Sequence, residues 1–563
     1  MTKKRKPGGF KVILLVFSLI LLLILFCISL FKNIGYPLLW ADEGETAMFG
    51  QQVLEYGYPK VHGEKNIVYT MARGDKSLGI KEENDVFIAV GPAQFYFAAL
   101  GLRWAERTED IYAKTTRLRI PFALIGLAGV GLIGWTIAGF FQSKVAKLIY
   151  LNLFFFFELL SIPLVLHLRQ VRYYPMVIFL LGAIVFTYFR YRYHSKWSWW
   201  LYTPVIVILF LLLVTTYYPV FLIMGLVIGL NEVREFWQGR GKKRWNKAVM
   251  TLSPLLLTLV LAAPFLIYFD VGQLSGDLSD GGFLNFDKLG ENLSLAWSFF
   301  RYQAYGYLII VVWGFLYFLW ANSKNDSLKQ NLKSRRSAAE ALGLLAIVYW
   351  LILSRVPHLF ERYFIVLHPL LIGVLLLNAS IVWRLIQGTE TAGERKNIKL
   401  VFLSLLAVVF IFNSQKIPKL IGDYAHELTH QVKGPLDYAV AYIRENYQRP
   451  EDLVVATNYE DASLMYYLGS RVVIGYAGAN LEEDLKLEPD VVLIRQVWEG
   501  ADFTPPPEKI RSYLEKTEYE AITFPVLDFF VNNMPESQIH VFKTVELNDN
   551  PRQLEIFVKK INI

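Results

Sequence analysis

Residues Val12–Phe31 read VILLVFSLILLLILFCISLF, and this stretch decides the fold class. About 20 apolar residues can cross the hydrocarbon core of a bilayer as one helix. The basic leader Lys3-Lys-Arg-Lys6 comes before the stretch, but no small-residue cleavage site follows it. We therefore expect an uncleaved membrane anchor with its N-terminus on the cytoplasmic side.

The composition extends this expectation to most of the chain. Of 563 residues, 54% are hydrophobic and 15% aromatic, which is typical of an integral membrane protein. The net charge of +8 does not indicate a nucleic-acid partner, because the basic residues cluster between apolar segments, where they set orientation. Cys27 is the single cysteine, so an intrachain disulfide is excluded.

The apolar segments predict a polytopic α-helical membrane protein with about eleven spans. They are 12–31, 118–140, 145–165, 174–189, 200–216, 219–230, 248–269, 305–321, 339–354, 363–384 and 399–413. With these spans alternating, every basic cluster between them falls on the inner side and the C-terminus lies outside. We expect a multi-pass protein of the cell membrane.

The apolar stretch Val86–Trp104 cannot be a further span, because counting it would place the later basic clusters outside. We expect a re-entrant or in-plane helix on the outer face of the membrane. The first outer loop then covers about residues 32–117. Long loops within a compact protein are often functional.

After the last span the sequence becomes more polar. In residues 414–563, the β-branched runs Leu453–Thr457, Arg471–Ile474 and Val491–Arg495 alternate with helical patterns. This alternation predicts a small extracytoplasmic α/β domain. The expected organisation is a membrane module over 1–413 and a soluble domain over 414–563.

Asp42 and Glu43 follow the first span within Trp40-Ala-Asp-Glu-Gly-Glu-Thr-Ala47 and are the candidate catalytic residues. A carboxylate beside a membrane can take a proton from an attacking hydroxyl or amine, or hold a divalent cation. The alternative is an ordinary polar loop. Neighbouring residues in a helix or strand point to different faces, so the two would have different roles. We predict no cofactor and assign no metal ligand, although the Asp42–Glu43 pair is compatible with a divalent cation.

Isolated basic residues in the outer loops depart from the usual depletion of positive charge on that side. Arginine binds phosphate through paired hydrogen bonds, whereas snorkelling at the headgroup layer is the alternative role. Arg169 and Arg172 would share a helical face if a helix continued through them. Tyrosines nearby could stack on sugar rings or belong to an interfacial aromatic belt. The candidate substrate-binding residues are Arg169, Arg172, Tyr173, Arg355, His358 and Arg362.

Two further motifs favour structural explanations. His426-Glu-Leu-Thr-His430 matches the HExxH pattern of zinc peptidases, but no additional ligand is evident downstream, so a solvated helix is favoured. Gly129-Val-Gly-Leu-Ile-Gly134 matches GxGxxG inside an apolar span, where close helix packing explains the glycines better than a dinucleotide site.

Together these features resemble the C-type superfamily of membrane glycosyltransferases, in particular the family of protein O-mannosyltransferases and lipid A aminoarabinose transferase. The resemblance lies in the acidic motif of Asp42, the Gly57-Tyr-Pro59 stretch after it, and the outer-loop architecture. Three shorter segments add to it: Gly91-Pro-Ala-Gln-Phe-Tyr96, Arg169-Gln-Val-Arg-Tyr-Tyr-Pro175, and Glu361-Arg-Tyr-Phe364 with Pro369. The basic residue that often precedes the family's Pro-Pro-Leu segment is replaced here by Ala89-Val90-Gly91, which leaves the acceptor open.

The resemblance implies transfer of a sugar from a polyprenyl-phosphate donor to a lipid, glycan or protein acceptor, with inversion. Asp42 would take or orient the acceptor proton, and Glu43 would position the acceptor or Asp42. The arginines would hold the departing lipid phosphate. The rival interpretations are a lipid or polysaccharide transporter and a non-catalytic membrane receptor.

Overall fold

The computed structural model is mostly helical and agrees with an integral membrane protein. It describes residues 9–63, 65–66, 72–73, 76–77, 79–194, 196–237, 242–271, 289–302, 304–356, 359–389, 391–414, 417–474, 486–495, 514–515, 518–528 and 553–560. Among these, seven helices are long and apolar enough to cross a membrane, or up to nine if two bent helix pairs each count as one span.

The first half of the chain contains ten helices among the described residues. They are α1 (Gly9–Phe31), α2 (Ala41–Tyr56), α3 (Ala93–Ala105), α4 (Ile111–Ala138), α5 (Lys144–Leu159), α6 (Ile162–Leu168), α7 (Tyr173–Arg192), α8 (Trp199–Thr216), α9 (Tyr218–Trp237) and α10 (Lys242–Tyr268). The N-terminal anchor α1 packs mainly against α5. The stretch predicted to form a re-entrant or in-plane helix contains a short strand, Val86–Phe87, and the 13-residue helix α3. Helix α3 packs against α2 and α4.

The second half adds the remaining helices of the bundle and the polar C-terminal segment. These helices are α11 (Leu289–Tyr302), α12 (Gly306–Asn322), α13 (Asp326–Leu353), α14 (His368–Gln387), α15 (Ala392–Ser414), α16 (Ile417–Thr429), α17 (Pro435–Asn446) and α18 (Asp461–Leu468). A 3₁₀ helix, Glu361–Leu367, leads into α14.

The predicted spans differ from these helices in two respects. The predicted span 145–165 is broken, since α5 and α6 meet at 83°. The first helix ends at Leu159, and Ser161 caps the second, its hydroxyl accepting a hydrogen bond from the Leu164 N–H at 3.4 Å. The predicted spans 219–230 and 399–413 fall within α9 and α15, which are not among the helices apolar enough to cross a membrane.

Two glycines of the GxGxxG match, Gly129 and Gly134, lie at close helix contacts, as predicted, whereas a Cβ on Gly131 would meet nothing within 4 Å. A Cβ on Gly129 would lie 2.6 Å from the backbone nitrogen of Phe179, so α4 and α7 approach closely at this point. A Cβ on Gly134 would lie 2.8 Å from the Phe154 ring.

Strands occur in the loop before α3 and in the C-terminal segment. The short hairpins of the loop are β1 (Ala72–Arg73) with β2 (Lys76–Ser77), and β3 (Ile80–Lys81) with β4 (Val86–Phe87). The C-terminal strands are β5 (Val454–Thr457), β6 (Arg471–Ile474), β7 (Val491–Leu493), β8 (Tyr519–Leu527) and β9 (Gln553–Lys559). They form one sheet in the order β6-β5-β7-β9-β8.

The middle of this sheet is parallel and the far edge antiparallel. Strand β5 pairs in parallel with β6 and β7, while β9 pairs antiparallel with β7 and β8. Helix α18 connects β5 to β6 and also packs against α2. This contact brings the C-terminal segment to the end of the bundle where α1 ends and α4 begins.

Candidate active site

The two candidate carboxylates lie in the first turn of α2, where the helix dipole favours negative charge. Their surroundings differ, as expected for neighbours on a helix. The Asp42 side chain is 23% exposed, whereas the Glu43 side chain is fully buried. Only Asp42 of the pair is open to a substrate.

Glu43 forms a buried, two-pronged ion pair with Arg119 of α4. Arg119 donates from Nε to Glu43 Oε1 at 3.0 Å and from Nη2 to Oε2 at 2.6 Å. The Val171 N–H also donates to Oε1, at 2.8 Å. Arg119 further donates to the carbonyls of Ile34 and Pro37. The pair therefore joins α2, α4 and the turn before α7.

This geometry corrects one of the two roles expected for Glu43. A fully buried carboxylate whose oxygens already accept these hydrogen bonds cannot contact an acceptor. It can position Asp42, because the residues are adjacent in the same helical turn.

Asp42 lies between two arginines. Its Oδ2 is 3.3 Å from Nη2 of Arg362 and 3.6 Å from Nη2 of Arg172. Arg172 also donates from Nη1 to Glu45 Oε1 at 2.9 Å. Burial raises the pKa of Glu45, and the charge of Arg172 opposes that shift. Two carboxylates and two guanidinium groups therefore balance one another in this cluster.

Aromatic rings frame both arginines. The guanidinium carbon of Arg362 lies 5.2 Å from the centre of the Trp40 ring, and that of Arg172 lies 5.5 Å from the Tyr173 ring. Tyr173 stacks on Tyr217 with ring centres 4.5 Å apart. These contacts restrict the positions of the guanidinium groups and shield them from water.

Arg172 reaches Asp42 because the chain is extended there. Helix α6 ends at Leu168 and α7 begins at Tyr173, and Arg172 has a φ of −147°. No helix continues from Arg169 to Arg172, so the two residues do not share a helical face. Arg169 instead donates to the Lys32 carbonyl at 3.4 Å.

Three candidate substrate-binding residues, Arg355, His358 and Arg362, come between α13 and α14 in the sequence. Arg362 reaches Asp42 from the 3₁₀ helix that precedes α14. Arg355 lies in the turn after α13, which Asn292 of α11 holds through the carbonyls of Ser354 and Val356. His358 lies outside the described residues.

Helix α18 adds a carboxylate that the sequence did not single out. Asp461 begins this helix and is partly exposed. Burial raises its pKa to about 6, and the charge of Glu45 adds to the shift. Arg119 was not predicted as a site residue either. An arginine near the start of an apolar span does, however, indicate a buried carboxylate partner.

The HExxH match lies on α16, away from this cluster in sequence. The His426 and His430 rings stack with their centres 4.1 Å apart, and Thr429 Oγ1 lies 2.8 Å from Nδ1 of His430. Across the described ranges, no group of three or more His, Cys, Asp or Glu residues is arranged to hold a metal ion.

The chain was compared with known proteins. No family model matches it, and neither does any curated protein. The solved structures that are similar to it include two at 13% identity. One is ArnT from Cupriavidus metallidurans bound to undecaprenyl phosphate, with a TM-score of 0.49 over 98% of each chain. The other is the same protein in the apo state, with a TM-score of 0.48 over 96% of this chain and 97% of that one.

Proposed function

We propose that this protein transfers a sugar from a polyprenyl-phosphate-linked donor to an acceptor on the extracytoplasmic side of the cell membrane. The observation that carries the proposal is the position of Asp42, a partly exposed carboxylate held between Arg172 and Arg362 at the end of a membrane bundle. The motif resemblance supports the same reaction class.

The arginines suit the phosphate of the donor. Arginine recognises phosphate oxygens through charge-assisted hydrogen bonds. The Arg172 Nε–H is buried and has no hydrogen-bond partner among the described residues, so it is available to an incoming anion. Arg172 Nη2 is 3.6 Å from Asp42, beyond hydrogen-bond distance. A phosphate can therefore take over these donors without breaking a strong contact to Asp42.

Binding of the phosphate also changes what the two arginines contact. In the resting protein Arg172 and Arg362 lie beside the Asp42 carboxylate. With the donor bound, the arginines hold the phosphate, and the partly exposed Asp42 carboxylate can accept the proton of the acceptor as a general base.

The reaction proceeds by one displacement. The acceptor oxygen or nitrogen attacks the anomeric carbon while its proton passes to Asp42. The bond from that carbon to the phosphate oxygen breaks, and its electron pair remains on the polyprenyl phosphate. Arg172 and Arg362 stabilise the charge that develops on this leaving group. Attack opposite the leaving group inverts the anomeric centre.

The aromatic groups give the sugar a place to bind. Trp40 and the stacked pair of Tyr173 and Tyr217 lie beside the two arginines. Aromatic faces can pack against the apolar face of a sugar ring next to the phosphate. The polyprenyl tail of the donor would then remain among the membrane lipids of the bilayer.

The proposal is tested with purified protein and a panel of polyprenyl-phosphate sugars. Wild-type protein should consume one donor of the panel, and Asp42→Asn should fold normally and consume none. Asp326→Asn, at an exposed position on α13, is the matched control and should retain activity. Lipid movement across vesicles without sugar transfer would instead favour the transporter.

A further inference from the structure

The backbone that leads into α2 is held by side chains from the C-terminal segment. The Leu39 N–H donates to the Tyr467 hydroxyl at 3.0 Å. The Leu38 N–H donates to the Asp437 carboxylate, at 3.3 Å to Oδ1 and 3.4 Å to Oδ2. These contacts join positions 399 and 428 residues apart in the sequence, immediately before Asp42.

The Tyr467 hydroxyl has a defined hydrogen-bond direction. It accepts from Leu39 and lies 2.5 Å from Thr115 Oγ1. Thr115 uses its own hydroxyl hydrogen to donate to the Ile111 carbonyl at 2.7 Å. Tyr467 must therefore donate to Thr115, because each hydroxyl has one hydrogen. The resulting chain connects α4, α18 and the backbone before α2.

Helix α18 also touches the first turn of α2 directly. A Cβ on Gly44 would lie 2.0 Å from Ser463 Oγ and 2.7 Å from Ser463 Cα. A side chain at Gly44 would separate the two helices. The close approach places α18 next to the turn that carries Asp42 and Glu45.

Movement of this backbone would disturb the site at two points. Asp42 would move relative to Arg172 and Arg362, which its carboxylate contacts. Trp40, whose ring lies 5.2 Å from the Arg362 guanidinium, would move with it. A small misplacement of reacting groups lowers the rate steeply, because the geometry of attack is lost.

We infer that the C-terminal segment is part of the active-site framework, and that Tyr467 is a positioning residue which holds Asp42 in place through the Leu39 N–H. The inference rests on the proposed function and assigns a role to the C-terminal segment. Tyr467 contacts no reacting atom and acts only through the backbone it holds.

The direct test compares Tyr467→Phe with Tyr466→Phe. The Tyr466 hydroxyl is buried without a hydrogen-bond partner in the described part of the chain, so removing it alters no such contact. Tyr467→Phe should lower kcat about tenfold or more and change the KM for the donor by a smaller factor, since the arginines that hold the donor phosphate stay in place while Asp42 and Trp40 shift. Tyr466→Phe should transfer at the wild-type rate.

Hydrogen–deuterium exchange gives a readout that does not depend on activity. The peptide covering residues 36–46 should exchange faster in Tyr467→Phe than in wild type or Tyr466→Phe. Faster exchange in a protein without transferase activity would uphold the positioning contact and reject the proposed function. Wild-type exchange and wild-type kcat in Tyr467→Phe would overturn the inference.

Thr115 provides a second pair of variants should Tyr467→Phe fold poorly. Thr115→Val removes the acceptor for the Tyr467 hydroxyl, whereas Thr115→Ser retains it. We expect a smaller fall in kcat for Thr115→Val, in the same direction as for Tyr467→Phe, and full activity for Thr115→Ser. Equal activity of the two Thr115 variants would contradict the inference.

Discussion

The Glu43 carboxylate is bound by Arg119 and by the Val171 N–H, whereas its neighbour Asp42 remains partly exposed. The two residues therefore differ in what their replacement should change. We expect that loss of Glu43 would weaken the buried contacts and that, under the proposed function, loss of Asp42 would abolish sugar transfer.

Glu43→Gln should destabilise the protein. The change leaves the buried guanidinium of Arg119 without a charged partner, which typically costs about 3 kcal/mol. Thermal unfolding in detergent measures the effect, with Asp326→Asn at an exposed position as the control that retains stability. Equal unfolding temperatures for wild type and Glu43→Gln would show that the ion pair contributes nothing net.

Arg172→Ala and Arg169→Ala form a matched pair, since both remove an arginine from the segment between α6 and α7. Arg172 contacts the Asp42 and Glu45 side chains, whereas Arg169 donates to a backbone carbonyl of Lys32. Arg172→Ala should raise the KM for the donor about tenfold or more, through the loss of a charge-assisted contact to phosphate. Arg169→Ala should change it less, and the opposite order would contradict the assignment.

At the scale of elements, the contact between α2 and α18 depends on Gly44. Replacing glycine by alanine stabilises a helix by about 1 kcal/mol. At position 44, however, the added Cβ would collide with Ser463. Gly44→Ala should therefore destabilise the protein and lower kcat. Gly343→Ala on α13, where a Cβ meets nothing within 4 Å, should be neutral or stabilising. An unchanged kcat in Gly44→Ala would show that α18 can shift without cost to the site.

The C-terminal sheet shows which strands could be predicted from runs of β-branched residues. The three β-branched runs coincide with β5, β6 and β7, the parallel strands whose apolar side chains are largely buried. Strands β8 and β9 were not predicted from the sequence. Strand β8 contains Pro525 and lies at the edge of the sheet, where a residue without an N–H is tolerated.

The candidate site, like the sheet, could be predicted only in part from the sequence. Asp42, Arg172, Tyr173 and Arg362 could be chosen from their loops and charges, and the structure brings them together. The contacts of Tyr467 and Asp437 with the backbone before α2 could not be predicted. They depend on how the C-terminal segment folds back over about 400 residues of chain, and neither residue type nor spacing encodes that approach.

For the whole molecule, Asp437 links stability to pH. Burial raises its pKa to about 7, against the opposing effect of hydrogen bonds from Gly434 and Leu38; Tyr112 and Arg119 also face it. Between pH 8 and pH 6 the folded protein therefore binds a proton that the unfolded chain does not. The free energy of unfolding should rise by about 1 kcal/mol as the pH falls through this range.

Asp437→Asn isolates this effect, because the variant has no proton to bind at this position. Thermal unfolding at pH 6 and pH 8 should show a smaller pH dependence in the variant than in wild type. Asp461, whose pKa is raised to about 6, titrates in both proteins and cancels in the difference. Identical pH dependence would place the Asp437 pKa outside this window.

The central claim is that Asp42 takes the acceptor proton while the arginines hold the donor. Single-turnover transfer and donor binding should therefore be measured side by side in wild type and Asp42→Asn, using the donor identified in the panel. The account predicts donor affinity within about threefold and transfer lowered by about a hundredfold or more, in the range of lost general-base catalysis. Transfer at the wild-type rate in Asp42→Asn would contradict it.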